Sequence, residues 1–159
     1  MVVVDVQKDF TTAYSGSLAV NGTDDAFLKS VAEATKKLKE LGLPIYATMD
    51  WHPAGHVSFA SRHSGKKVLE SVSIEDGRTQ ILWPDHCVQG TDGATLLLNE
   101  KYITGIIRKG EDVDYDSYSG FQDEVPLMQN KSLGGRCSGQ TPRLDRPGAT
   151  RQCQTDFFV

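Results

Sequence analysis

Two apolar runs of strand character flank a segment with helical periodicity. Val2–Val4 is a short β-branched run, which predicts a strand buried on both faces. Residues 45–48 predict a second strand, and between the two the apolar residues of 27–41 recur at helical spacing. A strand, a helix and a strand within about 50 residues form a βαβ unit, which predicts a parallel sheet with a right-handed crossover.

The ends of the predicted helix carry residues typical of helix caps. Thr23 is the expected N-cap, with Asp24 and Asp25 in the first turn, where the helix dipole favours anions. Gly42 is placed to end the helix, and Pro44 follows it, as expected beyond a helix C-terminus.

Polar side chains follow each predicted strand. Residues 102–108 predict a third strand, whereas residues 53–100 predict a long functional loop with short elements. Asp5 follows the first strand, Asp50 and His52 the second, and Lys109 the third. Open α/β sheets bind ligands beyond the carboxyl ends of their strands, so these residues are candidates for chemistry. The alternative is structural, with Asp5 capping a loop and Lys109 an ordinary surface lysine.

Composition and charge narrow the classes of partner. A chain of 159 residues favours one domain that can bury a core. No apolar run approaches 18 residues and no secretory signal is visible, so neither membrane insertion nor export is expected. The mixed charges, −4 in total, argue against nucleic acid or an anionic membrane as a partner. Three cysteines without a signal peptide indicate a reducing compartment, and we expect a cytoplasmic protein.

The charge pattern changes after Met128. Residues 1–128 carry 12 basic and 19 acidic residues, a net charge of −7, whereas residues 129–159 carry 5 basic and 2 acidic residues, a net charge of +3. The second stretch has neither helical nor strand periodicity, which favours a flexible basic tail. The preferred explanation of the abrupt change is a frameshift, a misjoined exon or a splice variant.

Asp50 and His52 form an Asp-x-His pair that suits a metal ion. In an extended chain both side chains share a face, so they can reach one cation. His86 is the best candidate for a third ligand, and His56 is either a fourth ligand or a residue that supports the ligands. Such a set suits Zn²⁺, Fe²⁺ or Mn²⁺, with open positions for water or substrate. Taken alone, the pair is a weak motif.

Six longer motifs carry a family resemblance. In chain order they are Asp-Val-Gln-Lys-Asp-Phe (5–10), Gly-Ser-Leu-Ala-Val (16–20), Asp-Trp-His-Pro-Ala-Gly-His-Val-Ser-Phe (50–59), Leu-Trp-Pro-Asp-His-Cys-Val-Gln-Gly-Thr (82–91), Arg-Lys-Gly (108–110) and Tyr-Asp-Ser-Tyr-Ser-Gly-Phe (115–121). Their order resembles that of nicotinamidases, which are isochorismatase-like cysteine hydrolases. The resemblance covers about residues 1–124 and implies an α/β fold with a three-layer αβα, Rossmann-like parallel sheet.

The resemblance implies a substrate and the residues that act on it. Nicotinamide would be hydrolysed to nicotinate and ammonia, a step of NAD salvage. Asp5 looks like the catalytic acid/base, and Lys109 like the cation of an Asp-Lys-Cys triad. Phe10 and Trp83 look like the aromatic walls around the substrate ring.

The resemblance also implies a metal centre. Asp50, His52 and His86 look like the ligands of a divalent metal, with zinc favoured and iron or manganese as alternatives. In nicotinamidases this metal also holds the pyridine nitrogen, and in some members the position of His56 is a further ligand.

The nucleophilic cysteine of that family has no counterpart in these residues. It lies in a motif resembling Gly-Leu-Ala-Thr-Asp-Tyr-Cys-Val at the start of a helix. Cys87 favours a structural thiol, and Cys137 and Cys153 have no apolar strand before them. We therefore expect a C-terminally truncated nicotinamidase domain at 1–124, an irregular tail at 125–159, and no turnover by this chain. The alternative is a non-catalytic fragment that binds metal and nicotinamide; the sequence leaves a homo-oligomer open.

Overall fold

The predicted parallel sheet is present in the computed structural model, which describes residues 1–74 and 77–120. The elements are β1 (Val2–Val4), α1 (Asp25–Glu40), β2 (Tyr46–Asp50), β3 (Ser71–Ser73), β4 (Thr79–Ile81) and β5 (Gly105–Lys109). The strand order is β1-β2-β5, and both pairings are parallel. The α/β fold class is therefore confirmed. The tail, Cys137, Cys153 and the 124/125 boundary lie outside the described residues.

The core lies between α1 and the sheet. Val3 of β1 and Ala47 of β2 belong to a buried cluster, and Leu28, Val31 and Leu38 of α1 pack against it. These helix positions recur at the spacing that places side chains on one face of a helix. The helical pattern in the sequence thus corresponds to the face that covers the sheet.

The N-cap of α1 is Asp24, so the prediction of Thr23 was wrong. The Asp24 carboxylate accepts a hydrogen bond from the Phe27 backbone N–H at 3.0 Å. The Thr23 hydroxyl is used earlier in the chain, where it donates to the Val20 carbonyl. An anionic cap also gains from the helix dipole, which favours Asp24. At the other end, Gly42 adopts φ +80° and ends the helix as predicted.

The burial of β1 differs between its two faces. Val3 is buried, but Val4 is 64% exposed, so the prediction of a strand covered on both faces is wrong among the described residues. β1 is an edge strand of the three-stranded sheet described here, and α1 covers the face that carries Val3.

The region between β2 and β5 is mostly irregular, as predicted. It contains the antiparallel hairpin β3–β4 and short 3₁₀ turns, among them Asp92–Ala94 and Glu100–Tyr102. The last of these turns includes Tyr102, where the third strand was predicted to begin. β5 therefore begins at Gly105, three residues later than predicted. Over the described ranges, no helix has the length and apolarity needed to cross a membrane.

Candidate active site

The three parallel strands bring Asp5, Asp50 and Lys109 together, as the sequence predicts. Asp50 and Lys109 are register partners at the ends of β2 and β5. The Lys109 ammonium lies 3.0 Å from Asp5 Oδ2 and also donates to Asp50 Oδ1. Asp5 leaves β1 with φ +50°, and its Oδ1 accepts a hydrogen bond from the Thr48 hydroxyl at 2.7 Å. One buried ammonium thus holds two carboxylates from neighbouring strands.

The charges of this cluster reinforce one another. Burial raises the pKa of Asp50, but the neighbouring His52 and His86 rings and the charge of Lys109 lower it more, well below its usual range. Burial lowers the pKa of Lys109, but the carboxylates of Asp50 and Asp5 raise it more. Near neutral pH, therefore, Asp50 is a carboxylate and Lys109 an ammonium.

His52 and His86 both direct Nε2 towards Asp50. Their Nδ1 atoms lie 3.0 Å from the Gly110 carbonyl and 2.8 Å from the Pro84 carbonyl. Because a carbonyl oxygen only accepts, each Nδ1 must carry the proton, and in a neutral ring Nε2 then keeps its lone pair. The Nε2 atoms of His52 and His86 lie 3.5 Å and 3.7 Å from Asp50 Oδ2.

These three side chains fit a divalent metal ion. One ligand atom from each of Asp50, His52 and His86 lies within 4.8 Å of the others, and all three residues are buried. Two imidazole nitrogens and a carboxylate oxygen are ligands that zinc accepts in proteins. The backbone carbonyls that hold each Nδ1–H fix the ring orientation, as is usual around metal-binding histidines.

His56 stacks beside this group with both ring nitrogens already engaged. Nε2 donates to the Tyr115 carbonyl at 3.0 Å, and Nδ1 accepts from the Ser58 hydroxyl at 2.8 Å. Its ring centroid lies 4.2 Å from that of His52. Burial above all, with the neighbouring His52, lowers the pKa of His56 to about 4. Of the two alternatives open in the sequence, the hydrogen bonds favour a residue that supports the ligands.

A cavity of about 230 Å³ opens beside the charged cluster. Phe10 and Trp83 are in its wall, and the Phe10 ring centroid lies 5.5 Å from that of His86. Tyr118 also lines the cavity, and its hydroxyl oxygen accepts a hydrogen bond from Trp83 Nε1 at 3.0 Å. Tyr118 was not among the residues predicted for the site, although it lies in the 115–121 motif.

Gln7 and Asp9 support the site and were also missed by the sequence reasoning. Gln7 is completely buried; its amide donates to the Asp50 and Ala94 carbonyls and accepts from the Asp50 N–H. Asp9 accepts a hydrogen bond from the Cys87 N–H at 2.7 Å. Both residues lie in the first motif, and their membership of that motif was the available signal.

Cys87 has the features of a structural thiol. It is completely buried, and its backbone adopts φ +46°. Burial raises the pKa of the thiol, and the charges of Asp50 and Asp9 raise it further. A nucleophilic cysteine needs the opposite environment, and the described residues contain no other cysteine.

Gly110 should not tolerate a side chain, because it packs against the His52 ring and its carbonyl accepts the hydrogen bond from His52 Nδ1. It adopts φ +64°, and a Cβ here would overlap the His52 ring. We expect Gly110→Ala to displace the ring and to weaken zinc binding by about tenfold or more. Gly22→Ala is the matched control, since Gly22 has φ +86° and no atom within 4 Å of the added Cβ. Both changes carry a backbone penalty of about 1–2 kcal/mol, so equal zinc affinities in a competition titration would contradict the prediction.

Known proteins with similar sequences and structures are nicotinamidases and pyrazinamidases. The chain is 42% identical to the Acinetobacter baylyi nicotinamidase over 125 residues, 77% of this chain and 55% of that protein. It is 33% identical to the Schizosaccharomyces pombe nicotinamidase over 169 aligned positions, 100% of this chain and 68% of that protein. The Pyrococcus horikoshii pyrazinamidase, solved in complex with zinc, superposes with a TM-score of 0.58 at 37% identity, over 76% of this chain and 56% of that one.

The fold and these relatives define a hydrolase class that acts on amide bonds. More particularly, the chain belongs to the nicotinamidase family, which confirms the resemblance seen in the sequence. It spans about half the length of the Acinetobacter relative that it matches. No protein-family model matches the chain.

Proposed function

We propose that this chain carries the metal and substrate site of a nicotinamidase that hydrolyses nicotinamide to nicotinate and ammonia in NAD salvage. The observation that carries the proposal is the convergence of Asp5, Asp50 and Lys109 beside two histidine Nε2 atoms, at one wall of a cavity. The position of this group at the carboxyl ends of parallel strands is where α/β enzymes act.

Asp50, His52 and His86 would hold the metal, with zinc favoured by the donor set and by the zinc complex of the Pyrococcus relative. Iron and manganese also accept imidazole and carboxylate ligands. The bound ion would supply positive charge and a coordination position for the pyridine nitrogen of nicotinamide. The cluster of Asp5, Asp50 and Lys109 holds one more negative than positive charge, so a cation here would be electrostatically favoured.

Phe10 and Trp83 would hold the flat nicotinamide ring between them. Their position in the cavity wall supports this role, and ring stacking adds roughly 0.5–1.5 kcal/mol beyond the burial of area. The Tyr118 hydroxyl fixes the indole through its hydrogen bond with Trp83 Nε1, so the wall is held in one orientation.

Asp5 and Lys109 would serve the acyl transfer. In a complete enzyme that also supplies the family's nucleophilic cysteine, Asp5 would take the proton of that thiol and deliver it to the departing ammonia. The Lys109 ammonium, 3.0 Å from Asp5, would stabilise the thiolate. The thiolate of such an enzyme would attack the amide carbonyl, the C–N bond would break, and water would then cleave the thioester to release nicotinate. The Thr48 hydroxyl holds the other oxygen of Asp5 and so orients the carboxylate.

The 159 residues alone are proposed to bind without turnover. Residues 1–124 would form the N-terminal part of a three-layer αβα domain, and 125–159 an irregular tail. The expected nucleophile motif is absent from the sequence, and Cys87 is buried with a raised thiol pKa. Loss of a nucleophile costs on the order of 10⁶-fold in turnover in a comparable triad.

Calorimetry and an ammonia assay on the purified chain test this proposal. We expect the chain to bind one zinc ion, and to bind nicotinamide only when zinc is present. Trp83→Ala should abolish nicotinamide binding. Benzamide, which lacks the ring nitrogen, should bind more weakly than nicotinamide. Tyr14→Ala is the control, since Tyr14 is an exposed aromatic residue that does not line the cavity. If the chain released ammonia and Lys109→Ala abolished that release, the proposed absence of turnover would be wrong. If the zinc-loaded protein did not bind nicotinamide, the proposed function itself would be wrong.

A further inference from the structure

A second buried carboxylate besides Asp50 lines the same cavity as the proposed metal ligands Asp50 and His86. Asp116 is only 4% exposed, and the proposed mechanism gives it no role. Its Oδ2 accepts a hydrogen bond from Gln80 Nε2 at 2.9 Å, and its Oδ1 accepts from the Ser117 N–H at 2.8 Å. Gln80 is itself buried and lies on β4, so the hairpin sends one polar side chain inwards to hold this carboxylate.

Asp116 lies against the histidine pair. A carboxylate oxygen of Asp116 and ring nitrogens of His52 and His56 fall within 4.8 Å of one another. The carbonyl that accepts from His56 belongs to Tyr115, the residue before Asp116. The short segment 115–116 therefore fixes His56 by a hydrogen bond and places a negative charge beside His52.

The same geometry argues against a second metal ion at this position. Both nitrogens of His56 are occupied by Ser58 and Tyr115, and both oxygens of Asp116 accept hydrogen bonds from protein groups. What remains available is the charge of the carboxylate. A buried negative charge near a ligand histidine favours a cation bound by that histidine, since the surroundings screen the charge weakly.

We infer that Asp116, held by Gln80, is a positioning residue that strengthens divalent-cation binding by Asp50, His52 and His86. The inference rests on the proposed function, because it requires the metal site to exist. It assigns the β3–β4 hairpin a role in the site, since Gln80 carries the hydrogen bond from that hairpin to Asp116.

The test is a zinc competition titration with matched variants. Asp116→Asn keeps the shape of the side chain but removes its negative charge. Gln80→Leu removes the hydrogen bond that holds the Asp116 carboxylate. Asp114→Asn is the control, because Asp114 is two residues away but exposed and paired with Arg62. The second readout is the rise in Tm on adding zinc. A purely structural role would lower the Tm of the zinc-free and zinc-loaded protein equally and leave that rise unchanged.

We expect Asp116→Asn to raise the zinc Kd by 10–100-fold and to shrink the zinc-dependent rise in Tm, with Asp114→Asn within twofold of wild type. Gln80→Leu alone should weaken zinc binding. In a chain that already carries Asp116→Ala, Gln80→Leu should weaken zinc binding no further, because Gln80 acts through Asp116. With Co²⁺ in place of zinc, the visible absorption bands should keep their positions in Asp116→Asn, since the ligands are unchanged.

Three results would overturn the inference. These are an unchanged zinc Kd in Asp116→Asn, a loss equal to that in Asp114→Asn, or shifted Co²⁺ bands that make Asp116 a direct ligand. Each leaves the proposed function intact if the wild-type chain binds one zinc. If the wild-type chain binds none, the proposed function fails first, so the two failures are distinguishable.

Discussion

Lys109→Met should destabilise the zinc-free protein by about 3–5 kcal/mol, the usual cost of removing one partner from a buried ion pair. The methionine fills a similar volume but leaves Asp5 and Asp50 facing each other without their shared cation. Urea unfolding with a chelator present measures the loss. Added zinc should reduce it, because the ion would restore positive charge beside Asp50.

Lys8→Met is the matched control for that experiment. Lys8 pairs with Asp92 at 2.6 Å, but the Asp92 side chain is 82% exposed, so the loss should stay below about 1 kcal/mol. If Lys109→Met cost no more than Lys8→Met, the buried cluster would not depend on its ammonium, and the electrostatic account of the site would be wrong.

Removal of a proposed ligand should abolish stoichiometric zinc binding. His52→Ala and His86→Ala each take away a nitrogen whose lone pair is directed at Asp50, and Asp50→Ala removes the carboxylate between them. Loss of an indirect partner already costs 10–100-fold in metal affinity, so loss of a ligand should cost more than about 100-fold. Elemental analysis after dialysis, with a competition titration, measures the change.

His63→Ala is the control for the ligand variants. His63 contacts the Val57 carbonyl at 2.8 Å and belongs to neither group of candidate metal ligands in the described ranges. Its replacement should leave one zinc per chain. If the zinc content stayed unchanged in His52→Ala or His86→Ala, the assignment of these residues as metal ligands would be wrong.

The sequence predicted the convergence of the strand-end residues because parallel strands leave few alternatives. Once β1, β2 and β5 were recognised as strands, Asp5, Asp50 and Lys109 had to lie at one edge of the sheet. The choice between Thr23 and Asp24 as N-cap was harder, since both residue types cap helices. Only the fold shows that the Thr23 hydroxyl donates to the Val20 carbonyl, whereas the Asp24 carboxylate accepts from the Phe27 N–H.

The residues that support the site could not be found in the same way. Gln7 and Asp116 act through contacts with partners 43 and 36 residues away, and no local pattern encodes those distances. The orientation of the His52 ring depends on the Gly110 carbonyl, which only the folded chain brings near. Periodicity reports which face of an element is buried, whereas these hydrogen bonds depend on how separate loops meet.

The three proposed ligands come from two distant parts of the chain, β2 with the residues after it and the segment around His86. An ion shared by them would act as a reversible cross-link that the unfolded chain cannot form. Its contribution to folding would follow the free ion concentration, reaching about 2.7 kcal/mol at one hundred times the Kd. The lifetime of this protein against proteolysis would then depend on how much zinc its surroundings supply.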